Sequence, residues 1–259
     1  MLDAGLQIAA VIDARAEVSP AHRSLASKGG FTVLNGSVSG VEGGKDGVKK
    51  ISVSMTGGAR AEVEADGLAV SGGWNPAVGL TSYHRGRPKW RGDIAAFVPD
   101  GAPPGMVAAG AANGDFGLGA CLREGFAAGA SAARDAGRNR KAGAAPVAED
   151  EAYSLTPLWH VAGKGKAFVD YQHDVTASDV ELAQREGFES VEHLKRYTTL
   201  GMATDQGKTS NIAGLAIMAA VSGKSIPETG TTIYRPPYVP VAIAPSPATI
   251  ATRLSMRRG

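Results

Sequence analysis

The sequence contains little cysteine, few aromatic residues and no long hydrophobic run. A single cysteine, Cys121, stands among 259 residues, so neither a disulfide framework nor an all-cysteine metal site can form within the chain. The longest apolar run, residues 212–221, is about half the roughly 20 residues that a membrane-spanning helix needs. Lys and Arg number 27 against 25 Asp and Glu, a balance that gives no sign of nucleic-acid binding. With no signal-peptide pattern at the start, we expect a cytoplasmic protein that contacts no membrane.

Glycine and hydrophobic residues are abundant. Hydrophobic residues make up 43% of the chain, which excludes disorder over its whole length. The 35 glycines are about twice the usual share of roughly 7%. This composition predicts a folded chain with many tight turns and close backbone approaches.

The first candidate site residue is Asp13. It follows the apolar residues 6–12, a pattern typical of a buried strand that ends in an acid. In a dinucleotide-binding unit the second strand ends in such an acid, which binds a ribose hydroxyl. The glycine-rich turn that normally comes about 20 residues earlier does not precede it here. Asp13 is therefore a candidate NAD-binding residue, although an ordinary strand-end residue is the favoured interpretation.

Periodicity and turn residues predict alternating strands and helices of an α/β fold. We expect a helix over residues 20–28, strands over 31–41, 48–56, 60–64, 66–70 and 105–110, and helices over 116–134, 180–186, 191–199 and 210–221. Ser178 and Glu181 have the spacing of a capping box. The region 127–148 is predicted to be a helix end followed by a solvated linker. The proline-rich segment from Ser225 is predicted to be extended.

Two glycine-rich turns follow predicted strands and are candidate cofactor contacts. In such turns, free N–H groups and the following helix N-terminus stabilise anionic oxygens, and glycine allows a close approach. The candidate residues are Gly72 and Gly73 in the first turn and Gly110, Asn113 and Gly114 in the second. An ordinary turn between a strand and a helix is the alternative.

Several longer motifs resemble the alpha subunit of heterotetrameric sarcosine oxidase. They are residues 71–76, 109–114, 169–176, 192–211 and 235–240. The resemblance covers residues 10–241 and implies an incomplete fold of two dinucleotide-binding domains followed by a small helical domain. The implied units are a remnant of a nicotinamide-type domain (1–66), the end of an FAD- or NAD-type domain (67–137), a linker (138–165), the helical domain (166–224) and a tail (225–259). We expect the chain to be a partial version of that subunit, because the glycine-rich fingerprint and the folate-binding domain of the family have no counterpart here.

The helical domain also resembles a small [2Fe–2S] domain of ferredoxin-like proteins. The positions that match its four cysteines are occupied by Asp170, Gln172, Asp205 and Ser210. Because such a cluster requires four thiolates, we expect the scaffold to be free of a cluster. The resemblance implies that this scaffold contributes to an FMN site at the interface with the beta subunit.

A phosphate site is predicted around the start of the last long helix. A triphosphate-binding loop is excluded, because the segment from Gly201 to Thr209 is one residue too long and follows a helix. Free N–H groups and a lysine can still hold one phosphate, and the resemblance implies the phosphate of FMN. The candidate residues are Gln206, Gly207, Lys208, Thr209 and Ser210, with Lys195 and Arg196 before them. The alternatives are a helix cap formed by Thr209 or Ser210 and a solvated helix face carrying Lys195 and Arg196.

The function implied by the resemblance is that of an oxidoreductase subunit. Such a subunit works with the beta, gamma and delta subunits in the oxidative demethylation of sarcosine to glycine, a one-carbon unit and hydrogen peroxide. The implied cofactors are NAD and an FMN shared with the beta subunit, and we expect the isolated chain to be inactive. Two alternatives stay open: a non-catalytic docking piece, and a reductase subunit of a related amine or hydroxyproline dehydrogenase.

Overall fold

The N-terminal part of the chain forms a mixed four-stranded sheet. The computed structural model describes residues 2–83, 86–138, 143–150, 153–163 and 165–235. The sheet and its helix comprise β1 (Ala10–Asp13), α1 (Pro20–Gly29), β2 (Thr32–Gly44), β3 (Gly47–Met55) and β4 (Arg60–Glu64). The strand order follows the chain, with β1 parallel to β2 and the other pairs antiparallel. Helix α1 supplies the crossover that a parallel pair requires.

Local sequence signals account for most boundaries of this part. Ser19 caps α1, because its Oγ accepts a hydrogen bond from the His22 N–H at 3.2 Å. Gly30 ends the helix with a φ of 69°. The strand predicted from residue 6 begins only at Ala10, and β2 runs through the predicted glycine turn as far as Gly44. The turn lies at residues 45–46 instead. Glycine is required at position 43 within the strand, because a side chain there would collide with the backbone at the start of β3.

The middle of the chain contains short elements around a small core. They are α2 (Gly79–Ser82), β5 (Lys89–Arg91), β6 (Ala96–Val98) and α3 (Leu118–Asp135). Strands β5 and β6 form an antiparallel hairpin, and Ile94, Ala96 and Val98 pack against Phe116. The strands predicted at 66–70 and 105–110 do not form. Neither segment pairs with a strand of the described chain, and Val70 is 83% exposed.

The C-terminal part is mainly helical and contains the larger core. Its elements are β7 (Phe168–Asp170), β8 (Val175–Thr176), α4 (Ala177–Arg185), α5 (Val191–Thr198), α6 (Asn211–Ser222) and α7 (Ile226–Thr229). Nine buried residues form this core: Val169, Val175, Ala177, Val180, Ala183, Leu194, Leu200, Ile217 and Met218. Gly214 allows α6 to approach Leu200 closely, because a methyl group at this glycine would lie 2.5 Å from the leucine Cδ2.

Two predictions for this part need correction. The capping box of α4 is formed by Thr176 and Asp179 and not by Ser178 and Glu181, because the N-cap lies two residues earlier than predicted. The segment from Ser225 is not extended at first: Ser225 and Glu228 form a capping box that opens α7. The remainder of the predicted tail, residues 236–259, lies outside the described residues.

The predicted linker, residues 138–165, contacts elements that precede it in the chain. Asp150 accepts a hydrogen bond from the Ala120 N–H at 2.8 Å and forms an ion pair with Arg123 at 2.8 Å. A methyl group at Gly163 would collide with the Ser39 backbone of β2. These contacts lie beyond the predicted solvated stretch, residues 127–148. None of the helices in the described ranges is long and apolar enough to cross a bilayer.

Candidate functional site

An open cleft of about 310 Å³ lies beside the C-terminal core. Three segments enclose it: helix α5, the turns that follow this helix, and residues 232–235. The lining residues are Glu192, Lys195, Arg196, Gly201, Met202, Ala203, Gln206, Thr232, Ile233, Tyr234 and Arg235. Because three of them carry a positive charge, we call this site the cationic cleft.

The cations of the cleft differ in their partners. Lys195 makes no ion pair or side-chain hydrogen bond with the described residues, and the same holds for the guanidinium of Arg235. Arg196 is paired with Glu192 one helical turn earlier, at 3.3 Å between its Nη2 and the carboxylate. This pair is exposed, so it holds Arg196 only weakly. The cleft thus offers at least two uncommitted positive charges to an anion.

Helix α5 carries two of the three positive charges of the cleft, Lys195 and Arg196. Ser190 caps its first turn by accepting a hydrogen bond from the His193 N–H. Leu194 is 1% exposed and anchors one face in the core, which leaves the adjacent Lys195 on the cleft side. The helix ends at Thr199, whose φ of 64° turns the chain sharply into Leu200 and Gly201.

Asp170 fixes the turn that forms one wall of the cleft. Its carboxylate is 2% exposed and accepts hydrogen bonds from the backbone N–H groups of Gly201 (2.8 Å), Gln172 (2.9 Å) and His173 (3.2 Å). Burial alone raises the pKa of this carboxyl, but the three N–H donors outweigh burial and hold the pKa below its usual value. Asp170 therefore stays ionised at neutral pH.

The four positions that match cluster cysteines differ in their hydrogen bonding. Besides Asp170, Gln172 accepts a hydrogen bond from the Thr204 hydroxyl at 3.0 Å. One carboxylate oxygen of Asp205 and the hydroxyl of Ser210 are buried without a hydrogen-bond partner in the described chain. Among the described residues there is no group of three or more His, Cys, Asp and Glu side chains placed to hold a metal.

The predicted phosphate residues separate into two groups. Lys195, Arg196 and Gln206 all line the cationic cleft. The other four, residues 207–210, do not line it. The Thr209 hydroxyl donates to Asp205 at 3.4 Å, Lys208 has a partner within the protein, and Ser210 occupies the N-cap position of α6 without a side-chain capping bond. The alternative of a side-chain cap by Thr209 or Ser210 is therefore absent as well.

Asp13, the predicted ribose ligand, already has a partner. It ends β1 and is 9% exposed, and Arg15 binds its carboxylate through Nε at 2.9 Å and Nη2 at 2.6 Å. These hydrogen bonds are the largest cause that lowers the pKa of Asp13 to about 2. His22 lies 3.6 Å from the same carboxylate. The arrangement fits the interpretation of Asp13 as a strand-end residue.

The second predicted glycine turn is also occupied from within. The Gly110 N–H donates to the Glu124 carboxylate of α3 at 2.7 Å, and Asn113 is hydrogen-bonded to the same carboxylate. A hydrogen bond between Asp115 and Glu124 raises the pKa of Asp115 and lowers that of Glu124. An anion at this turn would meet carboxylates instead of free N–H groups.

The remaining predicted glycines lie apart from the cleft. Gly114 packs against the small core, where a side chain would collide with Val98 and Ile94. Gly72 and Gly73 are exposed beside Trp74, which is 71% exposed. The structure thus does not bring Asp13, the two glycine turns and the cationic cleft together.

Sequence reasoning missed eight of the eleven cleft residues. They are Glu192, Gly201, Met202, Ala203, Thr232, Ile233, Tyr234 and Arg235. Arg235 begins a motif that the resemblance had singled out, and the motif at residues 192–211 contains four more of the missed residues. Thr232 and Tyr234 are buried at 7% and 8% exposure in a segment without regular structure, where periodicity gives no guidance.

The part of the chain that contains the cleft also matches a known family. Residues 164–250 match the model of the Sarcosine oxidase A3 domain. Over 92% of its length the chain is 40% identical to "Sarcosine oxidase subunit alpha" of Rhizobium meliloti (strain 1021) and of Corynebacterium sp. (strain P-1).

Most of this chain is similar in sequence to part of sarcosine oxidase alpha subunits.

The predicted resemblance is therefore confirmed. The chain spans about a quarter of the length of these curated relatives, 24% and 26%. A solved structure, L-proline dehydrogenase from P. horikoshii, aligns with 90% of this chain and 48% of its own at a TM-score of 0.59. With 19% sequence identity, this similarity concerns the fold alone, and it confirms the α/β class.

Proposed function

We propose that the chain forms part of a sarcosine oxidase alpha subunit and that its cationic cleft holds the phosphate of FMN. The observation that carries the proposal is Lys195, which has no partner among the described residues, beside Arg196 and Arg235 in one open cleft. Lys and Arg are the side chains that proteins use to bind phosphate. In the complete enzyme this site lies at the contact with the beta subunit, and the gamma and delta subunits complete a heterotetramer in the cytoplasm.

The residues of the cleft fit a phosphomonoester of flavin size. The volume of about 310 Å³ lies at the lower end of the roughly 300–1,000 Å³ that ligand sites have. Two uncommitted cations match the dianionic phosphate, and Tyr234 and Ile233 offer apolar surface beside them. Because the cleft is open, part of the flavin would remain for a partner subunit to cover.

The chain's own residues would bind and orient the group. Lys195 acts as a point charge, whereas the planar guanidinium of Arg196 can hold two phosphate oxygens once it leaves Glu192. Bound FMN would supply the redox chemistry of an enzyme that oxidises sarcosine. The small helical domain, residues 166–224, would thus serve as a cluster-free scaffold that positions these cations.

The residues predicted for NAD do not fit that cofactor. Arg15 donates two hydrogen bonds to the carboxylate of Asp13, and the carboxylate of Glu124 accepts a hydrogen bond from the N–H of Gly110. A ribose hydroxyl or a pyrophosphate would have to displace a charged partner at each place. We therefore derive no role for NAD at Asp13 or at the turn that contains Gly110.

A second function is supported by the internal partners of Asp13 and Gly110. Since the N-terminal groups are satisfied internally, residues 1–137 can serve as a docking part that binds a partner subunit without a cofactor of its own. This non-catalytic role differs from the first proposal only in the cleft, which would then stay without FMN.

Co-expression of the full chain with a sarcosine oxidase beta subunit separates the two functions. We expect the purified complex to contain FMN, and Lys195→Met to reduce its FMN content at equal yield of complex. Lys224→Met is the matched control, because Lys224 is exposed and paired with Glu189 away from the cleft. A complex that forms normally but has the same FMN content in wild type and Lys195→Met would leave only the docking role.

A further inference from the structure

The side-chain amide of Asn211 is buried next to the cationic cleft. It contacts both the turns after α5 and the segment 232–235, which line the cleft. Asn211, the first residue of α6, is 7% exposed. Its Nδ2 donates to the Gln206 carbonyl at 3.2 Å and to the Thr232 hydroxyl at 3.4 Å. Gln206 and Thr232 line the cleft, whereas Asn211 does not.

The oxygen of the same amide faces two glycines with left-handed backbone. Gly201 has a φ of 67° and Gly207 a φ of 72°. A side chain on either glycine would overlap the Asn211 carboxamide. The turn at Gly201 and the turn at Gly207 are therefore folded directly onto Asn211, and only glycine fits both the conformation and the space.

The contacts join segments that are far apart in sequence. Residues 201–207 and residues 231–235 have no regular structure of their own, and a second bond between them links the Arg235 N–H to the Gln206 side chain at 3.3 Å. The Asn211 amide adds one hydrogen bond to each of the two segments and thereby ties both to the start of α6.

We infer that Asn211 is a positioning residue for the cationic cleft. Its amide donors hold Gln206 and Thr232, and through them Arg235, at the distance from α5 that a bound phosphate requires. The inference rests on the proposed function, since it names the residue that pre-organises the same phosphate site. Asn211 itself touches no ligand.

The test measures FMN affinity and amide hydrogen exchange of the full chain in Asn211→Ala and Asn211→Asp. The aspartate has the size of asparagine but lacks the amide donors, so it separates hydrogen bonding from space filling. We expect both variants to bind FMN about tenfold more weakly and to exchange faster in residues 201–207 and 231–235. A wild-type affinity in Asn211→Asp would overturn the inference.

Two further variants guard against general destabilisation. Val180→Ala weakens the same core without touching the amide, and we expect it to leave FMN affinity within about twofold. Thr232→Val removes only the hydrogen bond between the Asn211 amide and residue 232. We expect faster amide exchange in residues 231–235 but not in residues 201–207. Unchanged exchange in Thr232→Val would overturn the inference even if the Asn211 variants failed to fold.

The outcome for the proposed function can be read separately. If FMN does not use the cleft, Lys195→Met will leave the FMN affinity of the chain unchanged. Faster exchange in both segments of the Asn211 variants would still support the positioning role. If Lys195→Met weakens FMN binding while both Asn211 variants have the FMN affinity and hydrogen exchange of wild type, the phosphate site is supported and the positioning role of Asn211 is contradicted.

Discussion

The sheet region and the helical region of this chain differ in what they leave for a ligand. In the sheet region and the middle of the chain, two of the groups that resemble cofactor contacts have internal partners: Arg15 binds Asp13, and Glu124 accepts a hydrogen bond from the Gly110 N–H. In the helical region, Lys195 has no partner among the described residues. Residue types were equally suggestive in both regions. The difference shows that a binding group must be uncommitted as well as chemically suitable.

The helical region and the middle of the chain also differ in packing. Nine buried residues form one core in the helical region, whereas three buried residues and Phe116 form the small core near α3. Large apolar side chains between residues 66 and 158 remain exposed, among them Val70, Trp74, Val107 and Val147. The helical region therefore has the larger packed core, which can hold the side chains of a site in fixed positions.

The largest expected effect tests this difference in packing. Met218→Ala should lower the free energy of unfolding by about 3 kcal/mol, because Met218 is fully buried and truncation leaves a cavity. Val98→Ala in the small core should cost about 1–2 kcal/mol, from the loss of two methyl groups. Urea unfolding followed by circular dichroism measures both. Equal losses would contradict the ranking of the two cores.

A loss of nearly the same size is expected at Asp170. Asp170→Ala removes the acceptor of three buried or half-buried N–H groups, so we expect a loss of about 3 kcal/mol. Glu181→Ala, on the exposed face of α4, is the control and should change stability by less than about 0.5 kcal/mol. A near-neutral Asp170→Ala would show that the wall of the cleft does not depend on this carboxylate.

The ion pair of Asp13 gives a smaller effect with a definite pH dependence. Because its pKa is lowered to about 2, its contribution is fully present above the unfolded pKa of about 4 and is lost as the pH falls towards 2. Asp13→Asn should cost about 2 kcal/mol at pH 7. The gap to wild type should narrow at pH 3, as measured by urea unfolding at both pH values.

The control for Asp13 is Asp46→Asn in the exposed turn between β2 and β3, which should leave stability unchanged at either pH. A gap that stays constant between pH 7 and pH 3 would mean that the pair with Arg15 does not stabilise the folded chain.

Sequence reasoning found most regular elements because their signals are local. Helices α1, α3, α5 and α6 and the meander β2–β4 follow from periodicity, caps and turns. The failures have a common cause, since the predicted strands at 66–70 and 105–110 depended on partner strands that the described chain does not provide. A strand is stabilised by its neighbours, which no local pattern reveals.

The candidate site was predicted in part for a similar reason. Lys195, Arg196 and Gln206 lie close in sequence and do share the cleft, whereas Arg235 reaches it through contacts with distant residues. The internal partners of Asp13 and Gly110 could not be read from residue types either. Arg15 is only two positions from Asp13, but Glu124 is 14 positions from Gly110.

The central claim, that the cationic cleft binds the phosphate of FMN, is tested most directly by comparing FMN with riboflavin, which lacks the phosphate. Flavin fluorescence quenching measures the affinity of the full chain for each ligand. We expect wild type and Lys224→Met to prefer FMN, and Lys195→Met to lose about tenfold of this preference with riboflavin affinity unchanged. An equal affinity of wild type for the two flavins, or a preference that survives Lys195→Met, would contradict the account.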